Sequence, residues 1–234
     1  MTDTLAPRAL VGIMTPAMNT VVQPELELLR PDGVTNQMQR FRLGGDAVSE
    51  DFIDEANKLM DCAPLAIAVG LTTDAGPGGP DKLRVLCDRA SQKFGISVLG
   101  ASQADYEALR TLGANRIGVV TPFDSTIDAI VKANTEAAGF EVITIKGTKA
   151  PSLPAICETS IGEIRDVFNQ VASSDCEAIL QVGTALPVVG LIAELEKAHG
   201  RPIVACNAAV YWQTLRAIGI NDPVHGYGQL LEVH

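Results

Sequence analysis

The stretch VGIMTPAMNT at residues 11–20 returns in part as IGVVTPFDST at 117–126. Both times a short apolar run ends in Thr-Pro and passes into a polar turn. A second echo has the same offset of 106 positions: Leu109, Arg110, Leu112 and Gly113 in YEALRTLG precede Leu215, Arg216, Ile218 and Gly219 in WQTLRAIG. Two matches at one offset, at the start and the end of a unit, point to a duplicated block. Whatever this chain folds into must therefore be built twice.

The pattern between the echoes says what is built. β-Branched runs near 9–14, 34–42, 64–70, 96–100, 115–120, 140–146, 177–182 and 202–206 read as strands. Amphipathic segments over 24–30, 48–61, 79–94, 102–113, 124–138, 160–173, 187–199 and 208–218 read as helices. Strand and helix in alternation predict an α/β fold with mainly parallel sheets. The duplication divides it into an N-terminal half, 1–114, a C-terminal half, 115–220, and a tail, 221–234, that crosses back. Parallel α/β sheets take ligands beyond the carboxyl ends of their strands, so two facing halves would enclose an interlobe cleft.

Composition narrows the guest. With 28 acidic against 18 basic side chains, the net charge of −10 disfavours nucleic acid and anionic membrane as partners. No apolar run approaches the roughly 20 residues of a bilayer span, and no charged-then-apolar leader opens the sequence, so a cytoplasmic protein is expected. The five cysteines are scattered without a CxxC pair, and the three histidines do not cluster with carboxylates, which predicts reduced thiols and no metal. The apolar, weakly charged segment LPVVGLIAEL at 186–195 is suited to a core or to a subunit contact, and a homo-oligomer is expected.

The strand-end loops are rich in hydroxyls and glycine rather than in basic residues. Thr15, Asn19 and Thr20 follow the first strand; Gly70, Thr72, Thr73 and Asp74 follow the third; Phe123 and Ser125 follow the fifth; Gly183 and Thr184 follow the seventh. Neutral N–H and O–H donors of this kind suit a small carboxylate. They equally suit helix capping, which Ser, Thr and Asn perform routinely.

The pattern TPxxNTxxxPE from Thr15 to Glu25, the VTP turn at 120–122, the strand ends VGLTT and ILQVGTALP, and the closing GYGQLL together resemble the maleate isomerase and arylmalonate decarboxylase branch of the aspartate/glutamate racemase superfamily. The resemblance covers essentially the whole chain. It implies two flavodoxin-like halves related by pseudo-symmetry, a small carboxylated substrate between them, and no metal or organic cofactor. It also implies a carboxylate cradle from Asn19, Thr72, Thr73, Gly183 and Thr184. Enzymes of that branch carry one or two wall cysteines, and those positions align with Gly70 and Gly183 here, so both thiols are missing. The usual tyrosine after VTP is Phe123.

Glycine can neither shuttle a proton nor add to a double bond, so racemisation and thiol-dependent isomerisation are disfavoured. Asp74, Thr72 and His225 are the candidates for a replacement catalyst, with Asp74 or His225 as the acid or base. Asp124 shares the ambiguity of Asp74, and Cys206, at the head of a helix, reads as a buried thiol. Three functions are open: a thiol-free decarboxylase-like lyase or isomerase on a small carboxylate or cyclic amide; a ring-opening or amide hydrolase with water activated by an aspartate or histidine; and a non-catalytic carboxylate-binding accessory protein.

Overall fold

The computed structural model describes residues 3–43, 51–72 and 79–234. Among them eight strands form: β1 Ala9–Pro16, β2 Val34–Phe41, β3 Ala66–Val69, β4 Ser97–Gly100, β5 Arg116–Thr121, β6 Glu141–Gly147, β7 Ala178–Gln181 and β8 Ile203–Ala205. The helices are α1 Val22–Leu28, α2 Asp51–Asn57, α3 Gly79–Phe94, α4 Ala101–Thr111, α5 Ser125–Ala137, α6 Leu153–Ile156, α7 Ile161–Ala172, α8 Ile192–His199, α9 Cys206–Ala217 and α10 Gln229–Val233. Each expected strand appears with its ends shifted by three residues or fewer. The helix expected from 187 begins at Ile192, after a 3-10 turn at Val189–Leu191, because Pro187 and Gly190 interrupt regular propagation. The short α6 and α10 were too brief to leave a periodic signal.

The strands make two parallel sheets of identical order, β2-β1-β3-β4 and β6-β5-β7-β8. This is the α/β architecture of two pseudo-symmetric halves. Register carries the symmetry down to single residues, since Val11 pairs with Ala66 across β1 and β3, and Ile117 pairs with Ala178 across β5 and β7.

The halves do not close their own cores. Helix α9, from the C-terminal half, packs on β3 and β4 beside α1, while α4, from the N-terminal half, packs against β7 and β8. The two exchanged helices pack along each other at the centre. Both are lined with small apolar residues, Ala101, Ala104 and Ala108 on α4 and Ala208 and Ala209 on α9, which lets their backbones approach. One continuous buried cluster consequently runs from Ala9 to Leu231, and a second, around Phe41, Phe52 and Leu83, fills the outer face of the first sheet.

The tail touches the N-terminal half through the exposed Arg8–Asp222 ion pair, with Nη1 to Oδ1 at 2.9 Å. Its α10 then packs on α9 and β8. Among the described residues no helix is long and apolar enough to cross a membrane.

Because each sheet borrows a helix, residues 1–114 expressed alone should lack a cooperative unfolding transition. Mixing them with 115–234 should restore it, as monitored by circular dichroism against urea.

Candidate active site

The carboxyl ends of β1, β3 and β7 meet through side chains. Asn19 Oδ1 accepts from the backbone N–H groups of Val21 and Val22, at 2.9 and 3.1 Å, and so fixes the entrance to α1. Its Nδ2 crosses between the halves to donate to Thr184 Oγ1 at 3.1 Å. Thr184 Oγ1 in turn donates to the carbonyl of Gly70 at 3.0 Å. The structure therefore brings Asn19, Gly70 and Thr184 together, but it turns the Asn19 amide and the Thr184 hydroxyl toward protein partners.

Two residues assigned no role from sequence complete this web. Asn207, at the head of α9, donates through Nδ2 to the Thr184 carbonyl at 2.9 Å and to Glu25 Oε2 at 2.7 Å. Glu25 Oε1 accepts from the Val189 N–H at 2.8 Å. Glu25 is 6% exposed, and burial pushes its carboxyl up to about 7 despite the bonds from Asn207 and Val189 that favour the charged form. Each bond of the web matters because an orphaned buried group costs about 1–3 kcal/mol, and Asn207 Oδ1 is one such group, without a partner among the described residues. The bonds made by Asn19, Thr184, Asn207 and Glu25 hold the two lobes in one relative position at the floor of the cleft.

The ladder also corrects an alignment. Gly70 N–H donates to the Met14 carbonyl at 2.8 Å and Val182 N–H to the Val120 carbonyl at 2.9 Å. Met14 and Val120 are duplication mates, so the mate of Gly70 is Val182, that of Leu71 is Gly183, and that of Thr72 is Thr184. Pairing Gly70 with Gly183 followed the shared letter and was one residue out. The chemical conclusion stands, because neither Leu71 nor Gly183 offers a thiol.

Both glycines are held by close neighbours. A Cβ on Gly70 would lie 2.8 Å from Val22 Cγ1, and one on Gly183 would lie 2.7 Å from Pro122 Cδ. Gly183 also has φ +108, which a side-chain-bearing residue adopts only with strain. The Phe123 ring lies over Gly183, its Cζ 3.6 Å from that Cβ position, so Pro122, Phe123 and Gly183 form one apolar wall.

The remaining candidates divide clearly. Thr72 is buried at the end of β3, and Thr15 is buried with its Oγ1 unpartnered. Its mate Thr121 is bonded instead to the Asp128 carboxyl. Thr20 and Ser125 are exposed, and Asp124 caps α5 by accepting from Thr126 and Ile127 N–H. Thr73 and Asp74 lie outside the described residues.

His225 is not brought to this site. It lies exposed in the turn before α10, whose Gln229 N–H bonds Glu196 Oε2 at 2.9 Å, while Glu196 Oε1 accepts from Ile203 N–H at the start of β8. That is the edge of the sheet opposite the carboxyl ends, reached because α9 runs antiparallel to its strand.

Cys206 is fully buried, and its Sγ donates to Gln181 Oε1 at 3.6 Å. Burial pushes the thiol well above its usual range, aided by the nearby Asp105 and Glu25 carboxyls, and overrides the helix N-terminus. It is a neutral thiol sealed behind the cleft wall. Among the described residues no group of three His, Cys, Asp or Glu side chains is placed to hold a metal ion.

Comparison with known proteins places the whole chain. A family model described as arylmalonate decarboxylase matches residues 11–231. Maleate isomerase of Nocardia farcinica is 24% identical over 242 residues, covering 94% of each chain, and that of Pseudomonas putida is 23% identical, covering 94% of this chain and 96% of the relative. Among solved structures, a doubly substituted, liganded arylmalonate decarboxylase superposes with a TM-score of 0.84 at 19% identity, covering 97% of this chain and all of the other. A cysteine-to-serine form of the N. farcinica maleate cis-trans isomerase, holding a covalently bound succinylcysteine intermediate, superposes with a TM-score of 0.81 at 21% identity, covering 97% and 99%.

Between pH about 4.5 and about 7 the folded protein keeps the Glu25 proton that the unfolded chain releases, so this group makes stability decline as pH rises through that window. Glu25→Gln should flatten the decline by up to one proton in urea unfolding at pH 5 and pH 7.5. It should also be less stable at both, since its amide nitrogen meets a donor. Gly183→Cys should lower stability by about 1–3 kcal/mol, through overpacking against Pro122, in the same assay.

Proposed function

Because this chain belongs to the arylmalonate decarboxylase family, we propose that it is a cofactor-independent decarboxylase that releases CO₂ from a small malonate-type dicarboxylate without a thiol. The observation that carries this reading is the pair of mated strand-end positions, Leu71 and Gly183, neither of which bears sulfur, with Cys206 sealed behind them.

Isomerisation through a covalent succinylcysteine, as in the N. farcinica relative, needs a nucleophilic sulfur beside the double bond. Decarboxylation does not. The electron pair of the breaking C–CO₂ bond passes into the remaining carboxyl group as an enediolate, CO₂ departs, and one proton is taken up at carbon. Two features of the cleft serve that step. The wall of Pro122, Phe123 and Gly183 offers the departing carboxylate no hydrogen-bond donor from its side chains, which favours loss of charge as CO₂. Across the cleft we assign the buried Thr72 hydroxyl, after β3, as a donor to the charge that develops on the retained carboxyl. The web through Asn19, Thr184, Asn207 and Glu25 holds these two walls at a fixed separation.

The test is CO₂ release from a panel of 2-substituted malonates including phenylmalonate, with maleate conversion to fumarate measured in parallel. Release of CO₂ with no fumarate supports the reading, and fumarate formation at a comparable or higher rate overturns it. Saturable malonate binding with neither product would mark an accessory protein. Cys206→Ala, and alkylation of the exposed Cys62 by iodoacetamide, should each leave turnover within about twofold of wild type.

A further inference from the structure

A small cavity with room for about one water molecule lies between α4, α5 and β7, lined by Ser102, Asp105, Tyr106, Thr135 and Val182, with Pro80 at its edge. Asp105 is 2% exposed, and its Oδ1 has no hydrogen-bond partner. Among the described residues no hydrogen bond or ion pair reaches the side chain, which leaves a buried carboxyl lining the cavity. Burial without compensation keeps it protonated, well above the usual carboxylate range. It is thus an O–H donor without an acceptor, an arrangement that weakens the fold and is found at working sites more than at structural ones.

Its position connects it to the cleft. Helix α4 starts at the carboxyl end of β4 and crosses onto the second sheet, so Ser102 stands at the helix head with Asp105 one turn below it on the same face. Val182, in the cavity wall, immediately precedes Gly183 in the cleft wall, and Pro80 opens α3 on the same side. The cavity therefore lies directly behind the strand ends where the substrate is placed.

We propose that Asp105 is the proton donor that replaces the missing thiols, delivering its proton through the Ser102 hydroxyl to the carbon from which CO₂ has left; this rests on the decarboxylase reading above. In the step, the Asp105 O–H bond breaks and its proton passes to a water held in the cavity, which gives one of its own protons to Ser102 Oγ. Ser102 gives up its own proton, and the new C–H bond takes the enediolate electron pair. Asp105 remains as a carboxylate and regains a proton from solvent water through the cavity, so one proton is consumed per CO₂ released.

The experiment compares wild type, Asp105→Asn and Ser102→Ala with phenylmalonate, together with thermal melts, near-UV circular dichroism and infrared difference spectra. D105N should lose at least about 100-fold in kcat with KM within threefold, while its Tm equals or exceeds that of wild type because an unpartnered acid has been removed. S102A should lower kcat in the same sense. Retention by D105N of more than a third of wild-type kcat, an unaffected S102A, or a loss of activity accompanied by a lowered Tm and altered near-UV spectrum would each overturn the proposal. If wild type releases CO₂ from none of the malonates, the decarboxylase reading fails by itself. The infrared spectra then decide the role of Asp105: a protonated-carboxyl band, absent in D105N and shifted by phenylacetate or maleate, supports a donor facing the ligand, and a band indifferent to both, or none, overturns it.

Discussion

Neither four-stranded sheet can cover its own inner face, and the rest of the molecule follows from that deficit. A parallel sheet is apolar on both sides and must be shielded on both. Here each inner face is completed by a helix that belongs to the other repeat, α9 over β3 and β4, and α4 against β7 and β8. Burial of this kind is non-directional and fixes little beyond proximity. The directional part comes from the hydrogen bonds that end on Thr184, Asn207 and Glu25, which select one of the many ways in which two greasy faces could slide. Packing brings the strand ends together, and polar geometry determines their alignment. The cleft is a by-product of both.

The fold was legible in the sequence because its signals are local and repeated. β-Branched runs of four to eight residues and helical periodicity gave the order of elements, and the Thr-Pro and Leu-Arg echoes gave the two halves. What escaped was the exchange of α4 and α9, since nothing in a helix's own pattern states which sheet its apolar stripe will meet. The register between mates escaped for a related reason. VGLTT and QVGTALP share a glycine that invites the wrong superposition, and only the ladder bonds of Gly70 and Val182 reveal it.

The site was legible as a neighbourhood and less so as a set of roles. Asn19, Gly70, Phe123, Gly183 and Thr184 do converge, yet the polar atoms of Asn19 and Thr184 are directed at each other and at the backbone. His225 looked suggestive as a loop histidine, but a loop's letters do not say at which edge of the sheet it lies. The residues passed over, Glu25 and Asp105, shared one readable signal: each is an acid on a mainly apolar helical face, Glu25 among Val22, Leu26 and Leu29, Asp105 among Ala101, Ala108 and Leu109 with Ser102 beside it. An acid in such a stripe is buried against its own hydration, and that conflict marks it for attention.

The duplication is no longer symmetric where it matters. The mate of Asp105 is Tyr211, whose hydroxyl is bonded to Asn36 Oδ1 at 2.8 Å. A ligand between the two sets of strand ends would meet an acidic helix from one repeat and no counterpart from the other, whose phenol is engaged near the start of β2. Divergence of the copies thus makes the enclosure handed, and under the decarboxylation proposed above a carbanion bearing two unlike groups would take its proton on one face and leave as a single mirror image.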